Sequence, residues 1–181
     1  MRTTKKITLI TFILPLISHI ISFILILTIC ICLQLLNDPN NYTVTLIMST
    51  SYFVIFIIPP AILQFNYAKS DKQVRLEIDD SIDFVRLTDG KKEYVFKLSE
   101  IDRIRIVDSD QYSIFLGTTP WYTHYFYMIC LKNDDEFLVT RLIAHRLEKL
   151  IKVRVVKQAV LFPYITKYYL NRAKNKEKSN E

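Results

Sequence analysis

The chain has 181 residues, a formal net charge of +6 and 50% hydrophobic residues. An apolar fraction of that size is ordinary for a globular protein, so the distribution carries the information. Gly90 and Gly117 are the only glycines, which excludes the clustered-glycine loops that cradle phosphates and dinucleotides.

From the N-terminus, Ile7 to Leu36 contains no Asp, Glu, Lys or Arg, and neither does Thr43 to Tyr67. A soluble domain would spread its charges, because each amphipathic element needs a wet face. Crossing a hydrocarbon core takes roughly 20 apolar residues, so helices over about 7–36 and 43–65 are expected to span a membrane. Asn37-Asp38-Pro39-Asn40-Asn41 between them is a dense set of turn formers, and predicts an antiparallel hairpin over residues 1–68. The first run is too long for the apolar core of a signal peptide and no small-residue cleavage site follows, so it is expected to remain as an anchor. Arg2, Lys5 and Lys6 precede the first helix, Lys69, Lys72 and Arg75 follow the second, and the loop has no cation. That asymmetry predicts a multi-pass protein of the inner (cytoplasmic) membrane, with both termini cytoplasmic. His19 has no intramembrane acid beside it, and an interhelical hydrogen bond is its expected use. Pro15 and Pro59-Pro60 are expected to kink or end their helices.

The remaining stretch of about 115 residues suffices for one small domain. Val74 to Ile78 alternates apolar and polar as a half-buried strand does. Ser81 to Leu87 is a second strand. Asp89-Gly90 is a hairpin turn leading into Lys92 to Leu98. Ile101 to Val107, Tyr112 to Leu116, His124 to Lys132 and Glu136 to Thr140 complete seven predicted strands. Leu142, Ile143, Leu147, Leu150 and Ile151 then fall at helical spacing and predict one amphipathic helix.

Seven antiparallel strands capped by a C-terminal helix resemble a pleckstrin-homology-like domain, here over residues 69–152. The resemblance is carried by Ser81-Ile82-Asp83-Phe84-Val85, Lys97-Leu98-Ser99-Glu100-Ile101, the Phe126 to Leu131 strand, and Phe137 to Leu142 running into the helix. A helical hairpin followed by such a domain is similar to small bacterial membrane proteins of that kind. The resemblance implies an α+β fold and a membrane location, and no functional residue is carried over from it.

No HExxH, GxSxG or spaced Cys/His cluster occurs, so catalytic residues, metal ligands and cofactors are all expected to be absent. Cys30, Cys32 and Cys130 are expected as apolar filler. Residues 71–140 hold 9 Lys and Arg against 14 Asp and Glu, net −5, whereas residues 141–181 hold 11 against 3, net +8. The basic tail, residues 153–181, interleaves aromatic side chains with cations. Lys157, Phe162, Tyr164, Lys167, Tyr168 and Arg172 therefore suit contact with an anionic lipid surface or a protein partner. The alternative is that the tail packs back on the β domain. Trp121, the sole tryptophan, and Tyr122 join the candidate contacts as interfacial aromatics, with burial in the core of the β domain as the other reading of Trp121. The expectation is a non-enzymatic scaffold or regulatory module at the inner membrane. Its partners would be the bilayer, an anionic lipid surface, and a protein or second copy of the chain, with no nucleic acid. The alternative role is an accessory subunit of a transport or envelope-stress assembly.

Overall fold

The computed structural model describes residues 2–5, 9–37, 42–109 and 121–166. The chain opens with a strand, β1 (Arg2–Lys5), and then helix α1 (Leu9–Asn37). Helix α2 (Thr43–Tyr52) runs through a π-helical turn (Phe53–Ile57) into α3 (Ile58–Asp71). Pro59 and Pro60 do not end this helix. Neither ring nitrogen can donate to a carbonyl four residues back, and the wider turn just before them absorbs the misfit. Thr43–Asp71 thus forms 29 continuous residues that contain an 18-residue stretch of mean hydropathy 2.0, and among the described residues it is the one helix long and apolar enough to cross a membrane. In α1 the apolar described stretch, His19–Gln34, is shorter. The two helices lie antiparallel. Phe12 meets Phe65, and Phe23 meets Tyr52 and Phe53. Thr45 Oγ1 donates to Gln34 Oε1 at one end (2.5 Å), and Gln64 Nε2 donates to the Phe12 carbonyl at the other (2.5 Å).

The β domain consists of two four-stranded sheets. Sheet A has the order β1-β2-β3-β4, with β2 (Val74–Asp79), β3 (Phe84–Asp89) and β4 (Lys92–Phe96). Sheet B has the order β7-β6-β5-β8, with β5 (Ile101–Asp108), β6 (Phe126–Leu131), β7 (Glu136–Thr140) and β8 (Arg154–Ala159). Gly90 sits at φ +64 in the β3–β4 turn, the left-handed region that an Asp-Gly hairpin requires.

This arrangement corrects a single run of seven antiparallel strands in four respects. The strand before α1 had no signal beyond two threonines, yet it pairs Arg2 with Asp79 and Lys5 with Leu76. Ser81 does not begin a strand, because Asp79 Oδ1 accepts from the Ser81 amide in a 3₁₀ turn, and β3 starts only at Phe84. The predicted capping helix is one turn, α4 (Leu147–Leu150). Leu142, Ile143, Leu147 and Ile151 are buried as helical spacing suggests, but Leu150 is exposed, and Arg146 is left-handed (φ 60) and breaks any continuous helix. Finally, part of the tail is a strand, β8, which pairs parallel with β5. A parallel partner needs a long return connection, and residues 141–153 supply it. The predicted strand Tyr112 to Leu116 lies outside the described residues.

The core between the sheets joins Leu76, Ile78, Val85 and Phe96 to Ile104, Tyr127, Ile129 and Val139, with Ile143, Leu147 and Ile151 closing one end. Strand β6 is buried on both faces. Its odd positions face this core; Phe126, Met128 and Cys130 face a second cluster containing Leu63 and Tyr67 of α3. Sheet B is therefore a middle layer between sheet A and the last turns of the long helix.

Candidate membrane-proximal junction

The site grows from that second cluster. Period-2 alternation sends Phe126, Met128 and Cys130 to one face of β6, and 3.6-residue periodicity sends Leu63 and Tyr67 to one face of α3. Both faces are apolar, and each needs the other to leave water. Burying a polar group at such a contact requires a partner for it. Gln64, wholly buried, uses both ends of its amide: it donates to the Phe12 carbonyl of α1 and accepts from His124 Nε2 (3.2 Å). Thr123 Oγ1 lies 3.5 Å from His124 Nδ1. Burial, and secondarily the Arg141 guanidinium, push the His124 imidazole down to about 3. The ring is therefore neutral, with its proton on Nε2 toward Gln64. Arg141 Nη1 donates to the Thr123 carbonyl, and its guanidinium stands 5.8 Å from the Tyr125 ring.

The end of α3 is fixed by Asp71, only 1% exposed. Its Oδ2 accepts from the Thr140 hydroxyl, while Oδ1 has no hydrogen-bond partner among the described residues. Burial raises this carboxyl to about 7, partly opposed by the Thr140 hydrogen bond.

Beside α3 the chain after β8 forms an aromatic collar. The Asn66 amide clamps one backbone unit from both sides. Its Nδ2 donates to the Ile165 carbonyl (3.2 Å), and its Oδ1 accepts from the Ile165 amide (2.8 Å). Tyr67 OH donates to the Pro163 carbonyl (2.7 Å). Trp121 Nε1 donates to the Leu161 carbonyl (2.7 Å), and its ring meets Phe162 edge to face at 5.5 Å. Phe162 and Tyr164 stack at 6.4 Å. Leu161, Tyr164 and Tyr122 keep 53%, 40% and 46% of their surface exposed. Phe65, the last apolar residue before Asn66, is 63% exposed. The collar therefore lies level with the point where the apolar stretch of the helix gives out.

Of the residues the sequence singled out, Trp121, Phe162 and Tyr164 come together here, with Tyr122 next to Trp121. Lys157 does not join them. It sits on β8, 3.9 Å from the Asp108 carboxylate. Lys167, Tyr168 and Arg172 lie outside the described residues. Sequence reasoning missed Gln64, Asn66, Asp71 and Thr140. Gln64 and Asn66 did leave a signal, as amides two residues apart near the end of an otherwise apolar run.

The arrangement holds surfaces together. His124 is committed to Gln64, and among the described residues no three His, Cys, Asp or Glu side chains gather as metal ligands. A family model described as PH domain matches residues 1–152, which takes in the helices and both sheets up to β8. No curated protein and no solved structure matches the chain. With most of its length under that family model, the chain belongs to the PH domain family.

Proposed function

We propose that the protein is a non-enzymatic, membrane-anchored PH-like module whose helices cross the inner membrane and whose β domain is held against the cytoplasmic face. There it serves as a scaffold or regulatory platform for a protein partner or for the lipid surface. The observation that carries this reading is the Asn66 clamp. It fixes an exposed, aromatic-rich segment beside the helix one residue beyond Phe65. Aromatic rings with a polar edge favour the interface between hydrocarbon and headgroups, and the collar occupies that level if Thr43–Phe65 spans. The pairing of β1 with β2 supports the same picture. The strand before the first helix and the strand after the second share one sheet, so both ends of the hairpin are on one side, and the flanking cations make that side cytoplasmic.

Trp121 is the only tryptophan, so its fluorescence reads the collar alone. In proteoliposomes of the full chain, lipids brominated near the headgroup end of the acyl chain are expected to quench Trp121 more strongly than lipids brominated near the bilayer centre. Emission unaffected by either lipid would remove the interfacial collar and, with it, the fixed orientation of the domain.

A further inference from the structure

Among the described residues sheet A ends in two outer strands, β1 and β4. Strand β1 leads into α1, and α3 leads into β2. The register therefore puts Lys5, Val74, Asp89 and Lys92 at the helix end of the sheet and Phe96 toward the far end. An outer strand offers backbone donors and acceptors to any passing chain, and charged side chains along it discourage that pairing. Every side chain of β1 is polar or cationic. In β4 the cations stand at the ends, Lys92 opening the strand and Lys97 following it, with Tyr94, Val95 and Phe96 between them. The Gly90-Lys91 turn is a two-residue connection, so Asp89–Lys92, Leu87–Tyr94 and Val85–Phe96 are the pairs that exchange hydrogen bonds. Glu93 and Val95 thus turn their N–H and C=O groups to the open side, and the Val95 side chain is 56% exposed.

That open side is a groove. Across it stands β7, the outer strand of sheet B, whose Phe137 ring meets Phe96 at 5.2 Å and Tyr94 at 4.9 Å between centroids. Two hollows meet at Tyr94 and Phe137. One, of about 470 Å³, is lined by the acids Glu93, Glu100 and Asp135 against the single cation Lys132. The other, of about 410 Å³, has Val74, Leu87 and Leu138 in its wall.

We propose that β4 takes up an extended segment of a partner protein as a further antiparallel strand of sheet A, and that this segment carries cations first and alternating apolar side chains after them. Strand addition draws its affinity from the main chain and its specificity from hollows that receive alternate side chains. Glu93 and Val95 supply the main-chain groups. Glu100 and Asp135 lie toward the far end, where an antiparallel segment begins, so cations belong in its first positions. Val74, Leu87 and Leu138 lie toward the helix end and suit apolar residues further on. A second copy of the chain does not fit this edge. Two β4 strands related by a two-fold axis would pair antiparallel and point their helix ends in opposite directions, which chains anchored from the same face of one bilayer cannot do. That exclusion rests on the spanning reading; the rest deepens the scaffold reading by giving its protein partner a chemistry.

The test uses the full chain in phosphatidylcholine vesicles and two synthetic peptides, Arg-Lys-Thr-Val-Thr-Val-Thr-Val and the same peptide with Glu-Glu in place of Arg-Lys. Hydrogen exchange over residues 92–97 is expected to slow several-fold with the cationic peptide and to stay unchanged with the acidic one, while β6 exchanges alike in both. Val95→Pro removes the central outward donor but leaves the bonds to β3, since proline is tolerated on an outer strand, and it should abolish the protection. Glu93→Gln, a milder change, should weaken binding of the cationic peptide several-fold. No protection by either peptide would overturn the proposal, as would protection that survives Val95→Pro. Equal protection by both peptides would overturn the cationic partner. Slow exchange over 92–97 before any peptide is added would mean that the edge is already paired, by the chain itself or by a second copy, and would overturn it too. Trp121 quenching reads the collar and the spanning helices separately, so their failure is distinguishable from failure at β4.

Discussion

Asp71 is the residue at which burial and charge conflict most openly. Its carboxyl is held at about 7 against 3.8 for a free aspartate, with burial as the main cause. A carboxyl raised in the folded state favours folding in its neutral form. Its contribution is fully present below about pH 3.8 and is lost as pH rises through about 7. At about 1.4 kcal/mol per pKa unit, the span of the effect is a few kcal/mol. Thermal unfolding of the solubilised chain should therefore shift upward as pH falls from about 8 to about 6.5, below which the buried neutral His124 opposes the effect. Asp71→Asn should keep the Thr140 contact, raise the midpoint near neutral pH and flatten that dependence. A variant with an unchanged pH slope would place the titration elsewhere. His124 behaves in the opposite sense. Burial holds it at about 3 against 6.5 for a free imidazole, so it lowers stability as pH falls below about 6.5, and His124→Gln is expected to steepen the rise between about pH 6.5 and 5 while weakening the Gln64 bridge.

Between elements, the decisive contact is α3 against β6. Leu63 is fully buried between them, and Leu63→Ala should cost about 2–5 kcal/mol through lost contacts and the cavity left behind. Chemical denaturation in mild detergent reads that loss. Asn66→Ala removes both hydrogen bonds to Ile165, worth about 1–3 kcal/mol together. Its signature should be local: faster hydrogen exchange at Ile165 and earlier proteolysis after β8, with the sheets unchanged. If exchange rose equally across β6, the clamp would be part of the global fold and not of the collar alone. At this scale the limits of the sequence also become clear. The two apolar runs, the Asp-Gly turn and most strand positions were legible because each is a local pattern of burial or backbone strain. Strand β1 was not, because its partner lies on the far side of about 70 residues and its own four residues carry no alternation. The single turn of α4 was misread for a different reason. Leu142, Ile143, Leu147 and Ile151 have helical spacing, but they are spread over two clusters that a straight helix cannot reach together.

For the whole molecule, the layers run sheet A, sheet B, helix end, so α3 packs on the outer face of sheet B with the aromatic collar beside it. Acidic strands and a basic tail pointed to the tail, with Trp121 and Tyr122, as the membrane contact, whereas the register gathers only Lys72, Arg75, Lys91 and Lys92 of the nine cations in residues 71–140 at the helix end. Trp121, Phe162 and Tyr164 were legible as residue types suited to an interface, but not as neighbours, since a sequence separation of some 40 residues gives no hint of contact. Fusions test the arrangement as a whole. A fluorescent protein after the C-terminus should fold and fluoresce in the cytoplasm, and alkaline phosphatase inserted between residues 38 and 41 should be active outside. The reverse pattern would invert the hairpin and leave the collar facing the wrong leaflet.

The pairing of β1 with β2 has a consequence for how the protein is made. β1 leaves the ribosome first, but the strand it must join follows only after both helices have emerged. Until then its backbone donors and acceptors are unmet, and sheet A has no outer strand. If the helices span the bilayer as proposed, the joining step can occur only once the second helix has returned the chain to the side where β1 waits. On that reading β1 works as a latch that closes on correctly inserted hairpins alone, and a chain whose second helix stalls would expose an open sheet edge of the kind that quality-control proteases and chaperones engage.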